Sequence, residues 1–82
     1  MLWVDVRSEK EYSTQHKAQA INIPYKNIKR GIEKTMANKD TTIYLYCAAG
    51  VRAEKAKQSL LRAGYKNVIN VGGLQNALAF SK

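Results

Sequence analysis

Strand-like and helix-like segments alternate along this chain with almost no sequence between them, and that alternation limits the available folds. Leu2–Val6 is a short apolar run that reads as a strand. Ser8, with Glu11 three residues on, carries the capping-box signature of a helix start, and the helix is expected to run to about Gln15. Ala20–Ile23 reads as a second strand closed by Pro24, which biases the residue before it towards extended backbone. Tyr25, Ile28, Ile32 and Met36 recur at helical spacing among Lys and Arg, interrupted by Gly31. Thr42–Tyr46 is dense in β-branched and aromatic residues and is the strongest strand. A helix follows from near Val51, with Ala53, Ala56, Leu60 and Ala63 as its apolar stripe and Gly64 placed to end it. Asn67–Val71 is the last strand, Gly72-Gly73 reads as a turn, and Leu74, Ala77 and Leu78 suggest a closing helix. The order β-α-β-α-β-α-β-α predicts an α/β fold: a mostly parallel sheet of four to five strands, flanked by helices on both faces.

Eighty-two residues make one domain, expected to span residues 1–82. Folding a chain of this mass buries about 63% of its extended surface, which is a real but thin core. The single cysteine, Cys47, excludes an internal disulfide framework and any multi-cysteine zinc site. The 14 Lys and Arg against 6 Asp and Glu give a net charge of +8, which favours an anionic partner. No recognised nucleic-acid motif accompanies that charge, so nucleic acid is not the expected partner. Lys26, Lys29, Arg30 and Lys34 on the second helix, and Lys55, Lys57 and Arg62 on the third, read first as solvated helix faces. No apolar run approaches the roughly 18 residues that a membrane span needs. The chain opens inside a strand, which leaves two expectations for its location. It is the periplasm if an export signal has been removed, and otherwise the cytoplasm.

In open parallel sheets ligands bind at the carboxyl ends of the strands, and Cys47 lies at that end of the strongest one. The thiolate is the reactive form of cysteine, and a helix amino terminus stabilises it. Gly50 lets the backbone turn, and the amides of Ala48, Ala49, Gly50, Val51 and Arg52 are placed to converge on one centre as an anion-binding nest. Ala48 and Ala49 are small and leave that centre open, while Arg52 adds a positive charge in the first helical turn. A low-pKa thiol beside such a cradle suits nucleophilic attack on an anionic sulfur or phosphorus substrate. A buried, inert strand-end cysteine is the alternative. Asp5 and Arg7 end the first strand on the same side and read as a supporting ion pair. His16 reads as a backbone-bonded turn residue, and Trp3 and the tyrosines as packing residues.

Cys47-Ala48-Ala49-Gly50-Val51-Arg52 resembles the C-x-x-G-x-R active loop of the rhodanese family. Trp3-Val4-Asp5-Val6-Arg7 resembles that family's opening D-V-R strand, and His16 with Ala20-Ile21-Asn22-Ile23-Pro24 its H-x-x-G-A-x-N-I-P segment. Gly64-Tyr65 to Val68, followed by Val71-Gly72-Gly73-Leu74, resembles its closing G-[YF]-x-x-V…G-G motif. The four matches stand in family order across essentially the whole chain, and its size is most similar to the single-domain, phage-shock-protein-E type of sulfurtransferase. The resemblance implies a thiosulfate sulfurtransferase in which Cys47 takes a sulfane sulfur as a persulfide. The backbone of Ala48–Arg52 would cradle it, and a thiol, or cyanide in an assay, would accept it. It further implies a small anionic sulfur donor, no cofactor and a monomer.

Four positions depart from the family pattern. Gln19 stands where glycine is usual, Ala48 and Ala49 where some thiosulfate-preferring members carry basic residues, and Ala53 where Ser or Thr is frequent. Two other functions compete. Cysteine phosphatases and arsenate reductases use a C-x5-R loop, one residue longer than Cys47-x4-Arg52 and wide enough for a tetrahedral oxyanion. A non-catalytic rhodanese module, or a persulfide carrier, would instead bind an acidic protein partner through Lys29, Arg30 and Lys34.

Overall fold

The computed structural model describes residues 1–35 and 38–80. Four strands pair side by side in the order β2-β1-β3-β4: β1 is Leu2–Asp5, β2 Ile21–Asn22, β3 Ile43–Cys47 and β4 Val68–Gly73. All three pairings are parallel, as the alternation predicts. The helices between them are α1 (Glu9–Thr14), α2 (Ile28–Thr35), α3 (Val51–Arg62) and α4 (Leu74–Ala79).

Alternate side chains of each strand serve two cores. On one face Val4, Ile43, Leu45, Cys47 and Val68 pack against Ile28 and Ile32 of α2 and Ala53, Ala56 and Leu60 of α3. On the other, Trp3 and Tyr46 pack with Ala20 and with Ala77 of α4. Trp3 stacks on Tyr44, ring centres 4.7 Å apart, and Phe80 closes edge-on against it. Gly31, which interrupts the apolar pattern of α2, lies where a Cβ would meet Ile23 Cγ2 at 2.5 Å, so its absence of side chain lets the helix approach the sheet.

The helix ends follow the sequence signals. Ser8 Oγ accepts from the Glu11 amide, and Glu11 Oε1 accepts from the Ser8 amide, forming the capping box. At the end of α3 the Gly64 amide donates to the Leu61 carbonyl and the Tyr65 amide to the Leu60 carbonyl. Gly64 sits at φ +97, and Tyr65 and Leu60 are both buried in the same core, completing a Schellman motif.

Three elements differ from the sequence reading. The second strand has two residues rather than four. Gly72-Gly73 is the end of β4, not a free turn. The segment after Pro24 starts as a 3-10 turn, Tyr25–Asn27, before α2 begins, and Met36 of the expected stripe lies outside the described residues. The turn before β2 carries a backbone oddity. Gln19 has φ 73, and among the described residues no other non-glycine has positive φ. An L-residue there carries about 1–2 kcal/mol of strain, and a glycine costs about 0.4–1 kcal/mol of extra unfolded-state entropy. Gln19→Gly is therefore expected to stabilise the domain by about 0.5–1 kcal/mol, read as a melting point raised by several degrees. An unchanged or lowered melting point would contradict this.

Candidate active site

The chain runs from β1 to β2 on one side and reaches β3 and β4 on the other, so the sheet order reverses between β1 and β3. The carboxyl ends of those two strands form the crevice where open α/β sheets bind ligands. Asp5 and Cys47 both stand there, on hydrogen-bonded neighbouring strands.

Cys47 is 1% exposed. The Gly50 amide donates to its Sγ at 2.9 Å, with Gly50 in left-handed backbone (φ +96) at the N-cap of α3. Burial pushes the thiol up, but hydrogen bonds from the amides of Ala53, Ala49, Gly50 and Arg52 outweigh it, and the pKa falls below its ordinary value. Of the five expected amides, those of Ala49, Gly50 and Arg52 act on the sulfur, joined by that of Ala53 one residue beyond the expected segment. Ala48 enters differently, through its carbonyl, which packs against Gly73. Val51 is 65% exposed.

Arg52 makes a bidentate pair with Glu11, Nη1 to Oε1 at 2.8 Å and Nη2 to Oε2 at 3.0 Å. The hydrogen bond from Arg52 is the main reason the Glu11 carboxyl is held down to about 2. Glu11 thus caps α1 and ties it to the first turn of α3. Asp5 and Arg7 form the expected ion pair. Arg7 Nη2 lies 2.7 Å from Oδ2, Nε 3.0 Å from both carboxylate oxygens, and the Arg7 amide 2.8 Å from Oδ1. Both residues are buried. The Arg7 guanidinium also donates to the Gln15 carbonyl and stands over the Tyr46 ring.

β4 supplies parts that the sequence reading missed. Leu45 pairs with Asn70 but Cys47 with Gly73, so β4 carries one extra residue, a β-bulge. The bulge brings Gly73 against the loop so closely that a Cβ there would lie 2.4 Å from the Ala48 carbonyl oxygen. Asn70 donates from Nδ2 to the Gly50 carbonyl at 3.0 Å and to Glu54 Oε1 at 3.1 Å, and its Oδ1 accepts from the Gly72 amide. It therefore joins the bulge to the loop. His16 stacks on Tyr12 and bonds its carbonyl through Nδ1, which leaves it outside the site, as expected.

A groove of about 460 Å³ opens beside the loop, between Arg7, Ala48 and Ala49 on one side and Gly73, Leu74 and Gln75 on the other. A slightly larger cavity, about 480 Å³, lies between the Tyr25 turn and α3, but none of its lining residues belongs to the Cys47 loop. Among the described residues no group of three or more His, Cys, Asp or Glu side chains is arranged to hold a metal, and no helix is long and apolar enough to cross a membrane.

A family model for the rhodanese-like domain matches residues 1–79. The chain belongs to the rhodanese-like domain family. The thiosulfate sulfurtransferase PspE of Escherichia coli (strain K12) is 40% identical over 74 residues, covering 90% of this chain and 71% of PspE. The tRNA uridine(34) hydroxylase of Photorhabdus laumondii is 38% identical over 76 residues, but the match spans 88% of this chain and only 22% of the hydroxylase. In three dimensions the solved structure of a rhodanese with anions from E. coli superposes with a TM-score of 0.87 at 40% identity, covering 92% of this chain and 88% of that one.

In this rhodanese-like domain the lowered thiol pKa has a direct readout. Alkylation by iodoacetamide follows the thiolate, so its rate should rise with pH to a midpoint below the value of about 8.5 for a free cysteine. Restricted access to the buried Cys47 lowers the absolute rate at every pH without moving the midpoint. A midpoint at or above the free value would mean that the amides do not outweigh desolvation.

Proposed function

We propose that this domain is a sulfurtransferase that moves a sulfane sulfur from thiosulfate or a related donor to a thiophilic acceptor through a persulfide on Cys47. The observation that carries this reading is the thiol itself, with its pKa lowered by a ring of backbone amides at the start of α3. The Cys47 thiolate attacks the outer sulfur of thiosulfate. A new S–S bond forms on Cys47, the donor's S–S bond breaks, and sulfite leaves with the electron pair. The negative charge on the outer persulfide sulfur is then met by the amides that first stabilised the thiolate. A thiol, or cyanide in an assay, attacks that sulfur and returns Cys47 to the thiolate. The cradle backbone from Ala48 to Arg52 holds the persulfide, joined by the Ala53 amide. Arg52 fixes the loop through Glu11, and Asp5 and Arg7 support its floor.

The PspE relationship supports thiosulfate as one donor. The four residues between Cys47 and Arg52 favour a sulfur atom over a tetrahedral phosphate, which argues against the phosphatase reading. The test is incubation with thiosulfate followed by intact mass, and then thiocyanate formation with cyanide. Gain of one sulfur and production of thiocyanate are expected. Absence of both would remove thiosulfate as a donor.

A further inference from the structure

We propose that the face formed by the Tyr25–Asn27 turn, α2 and α3 is a docking surface for an acidic, extended peptide segment of a partner protein. The inference goes beyond the sulfurtransferase reading and does not depend on it. α2 and α3 lie on the same face of the sheet, anchored by Ile28, Ile32, Ala56 and Leu60. The cavity of about 480 Å³ between the Tyr25 turn and α3 shares Lys26 with a second, of about 420 Å³, along α2. It shares Ser59 and Arg62 with a third, of about 160 Å³. Lys29 lines both the second and the third, so the cavities join in one trough. Five cations line it: Lys26, Lys29, Arg30, Lys55 and Arg62. All are exposed, and among the described residues none of them is in an ion pair. The ion pairs of the domain lie elsewhere, joining Arg7 to Asp5, Arg52 to Glu11 and Lys66 to Asp40.

Of the two carboxylates in the trough walls, Glu54 is engaged by the side-chain amides of Asn70 and Gln58, which leaves Glu33. Lys55 Nζ stands 5.9 Å from the centre of the Tyr25 ring, a contact that leaves its charge in place. Cations gathered in this way repel one another, and an anionic partner relieves the repulsion. The dimensions select a peptide. At about 1.5 Å per residue, Lys55 to Arg62 spans about 10 Å of α3, the reach of about three residues of extended chain. Carboxylates on alternate residues of such a chain share one side and stand about 7 Å apart. Asn27 and Ser59 add neutral groups that can donate to its carbonyls. Glu33 and Glu54 oppose an unbroken row of phosphates, whereas a peptide can set neutral residues beside them. The trough begins at the end of the sheet where Cys47 stands. The Tyr25 amide donates to the Val6 carbonyl just past β1, and Lys55 lies about one turn into α3.

The experiment titrates nitrogen-15-labelled protein with a peptide of alternating Glu and Ser, about eight residues long, and separately with an oligouridylate of equal charge. Amide chemical shifts report both the place and the strength of binding. The double variant Arg30→Glu, Arg62→Glu reverses two trough cations. Lys10→Glu with Lys66→Glu changes the net charge equally outside the trough. The expected result is peptide-induced shifts over residues 25–30 and 55–63, fading at high salt. Peptide affinity should fall at least about tenfold in the trough variant and less than about threefold in the control. The trough variant should keep the wild-type melting point and thiocyanate formation, which separates lost docking from lost fold. Shifts confined to the groove at Ala48 and Gln75 or scattered over all basic residues, equal losses in the two variants, or tighter binding of oligouridylate each overturn the assignment. A wild type that binds the peptide here but transfers no sulfur would overturn the sulfurtransferase reading alone.

Discussion

Cys47→Ser is expected to abolish sulfur transfer, with thiocyanate formation falling at least about a thousandfold, to the uncatalysed background. The reason is chemical more than steric. A serine hydroxyl is not ionised near neutral pH, and it cannot form the S–S bond that stores the transferred sulfur. The fold should survive, because the smaller oxygen still sits in the site of Sγ and still accepts from the Gly50 amide, 2.9 Å from Sγ in the native loop. A destabilisation of about 1–2 kcal/mol is expected from burying a hydroxyl in place of a thiol. Thiocyanate assays, intact mass and thermal melts on the same preparation separate the two effects. Residual transfer above background in a folded Cys47→Ser protein would rule out the persulfide mechanism.

Asp5→Ala should produce the largest loss of stability. Asp5 is fully buried and its carboxylate receives the Arg7 amide and three guanidinium contacts. Removing it leaves a guanidinium only 6% exposed without its counter-charge, and breaking such a pair costs about 3–5 kcal/mol. For a domain of this size that lowers the melting point by about 12–40 °C. The double variant Asp5→Ala, Arg7→Met removes both charges and is expected to recover at least about 2 kcal/mol of that loss, because no buried charge remains unpaired. Urea unfolding of the wild type, of each single variant, Asp5→Ala and Arg7→Met, and of the double variant closes the cycle. A loss below about 1 kcal/mol in Asp5→Ala would show that the pair is not held in the folded state as described.

The parts of this molecule that depend on local chain chemistry were legible in the sequence. The capping box at Ser8, the helix stop at Gly64 and the loop that follows β3 each rest on residues within a few positions of one another. Features that depend on distant partners were not legible. Glu11 and Arg52 are 41 residues apart, and nothing in either local pattern announces the pair. Gly72-Gly73 read as a turn because a Gly-Gly step suits a turn and a bulge equally. The distinction lies in the approach of the Ala48 carbonyl, which only the folded sheet supplies. Asn70 read as an ordinary strand residue for the same reason, since its bond to Gly50 spans the gap between β4 and the loop. Gln19 was visible as a departure from pattern, and its left-handed backbone explains why glycine is the natural occupant of that position.

Helix α1 buries none of its residues. Its attachment runs through Arg52 on Glu11, Arg7 on the Gln15 carbonyl just past its end, and Tyr12 on the Ala20 carbonyl. It is fastened by polar contacts where α2, α3 and α4 are fastened by apolar packing, so acid acts on it selectively. The Glu11 carboxyl is depressed in the folded state, so its contribution to docking is complete above the ordinary carboxylate range and drains away as the pH falls towards about 2. Loosening this one short helix would strip the counter-ion from Arg52 while leaving the parallel strands paired. The electrical balance of the sulfur cradle thus depends on the least firmly anchored segment of the domain.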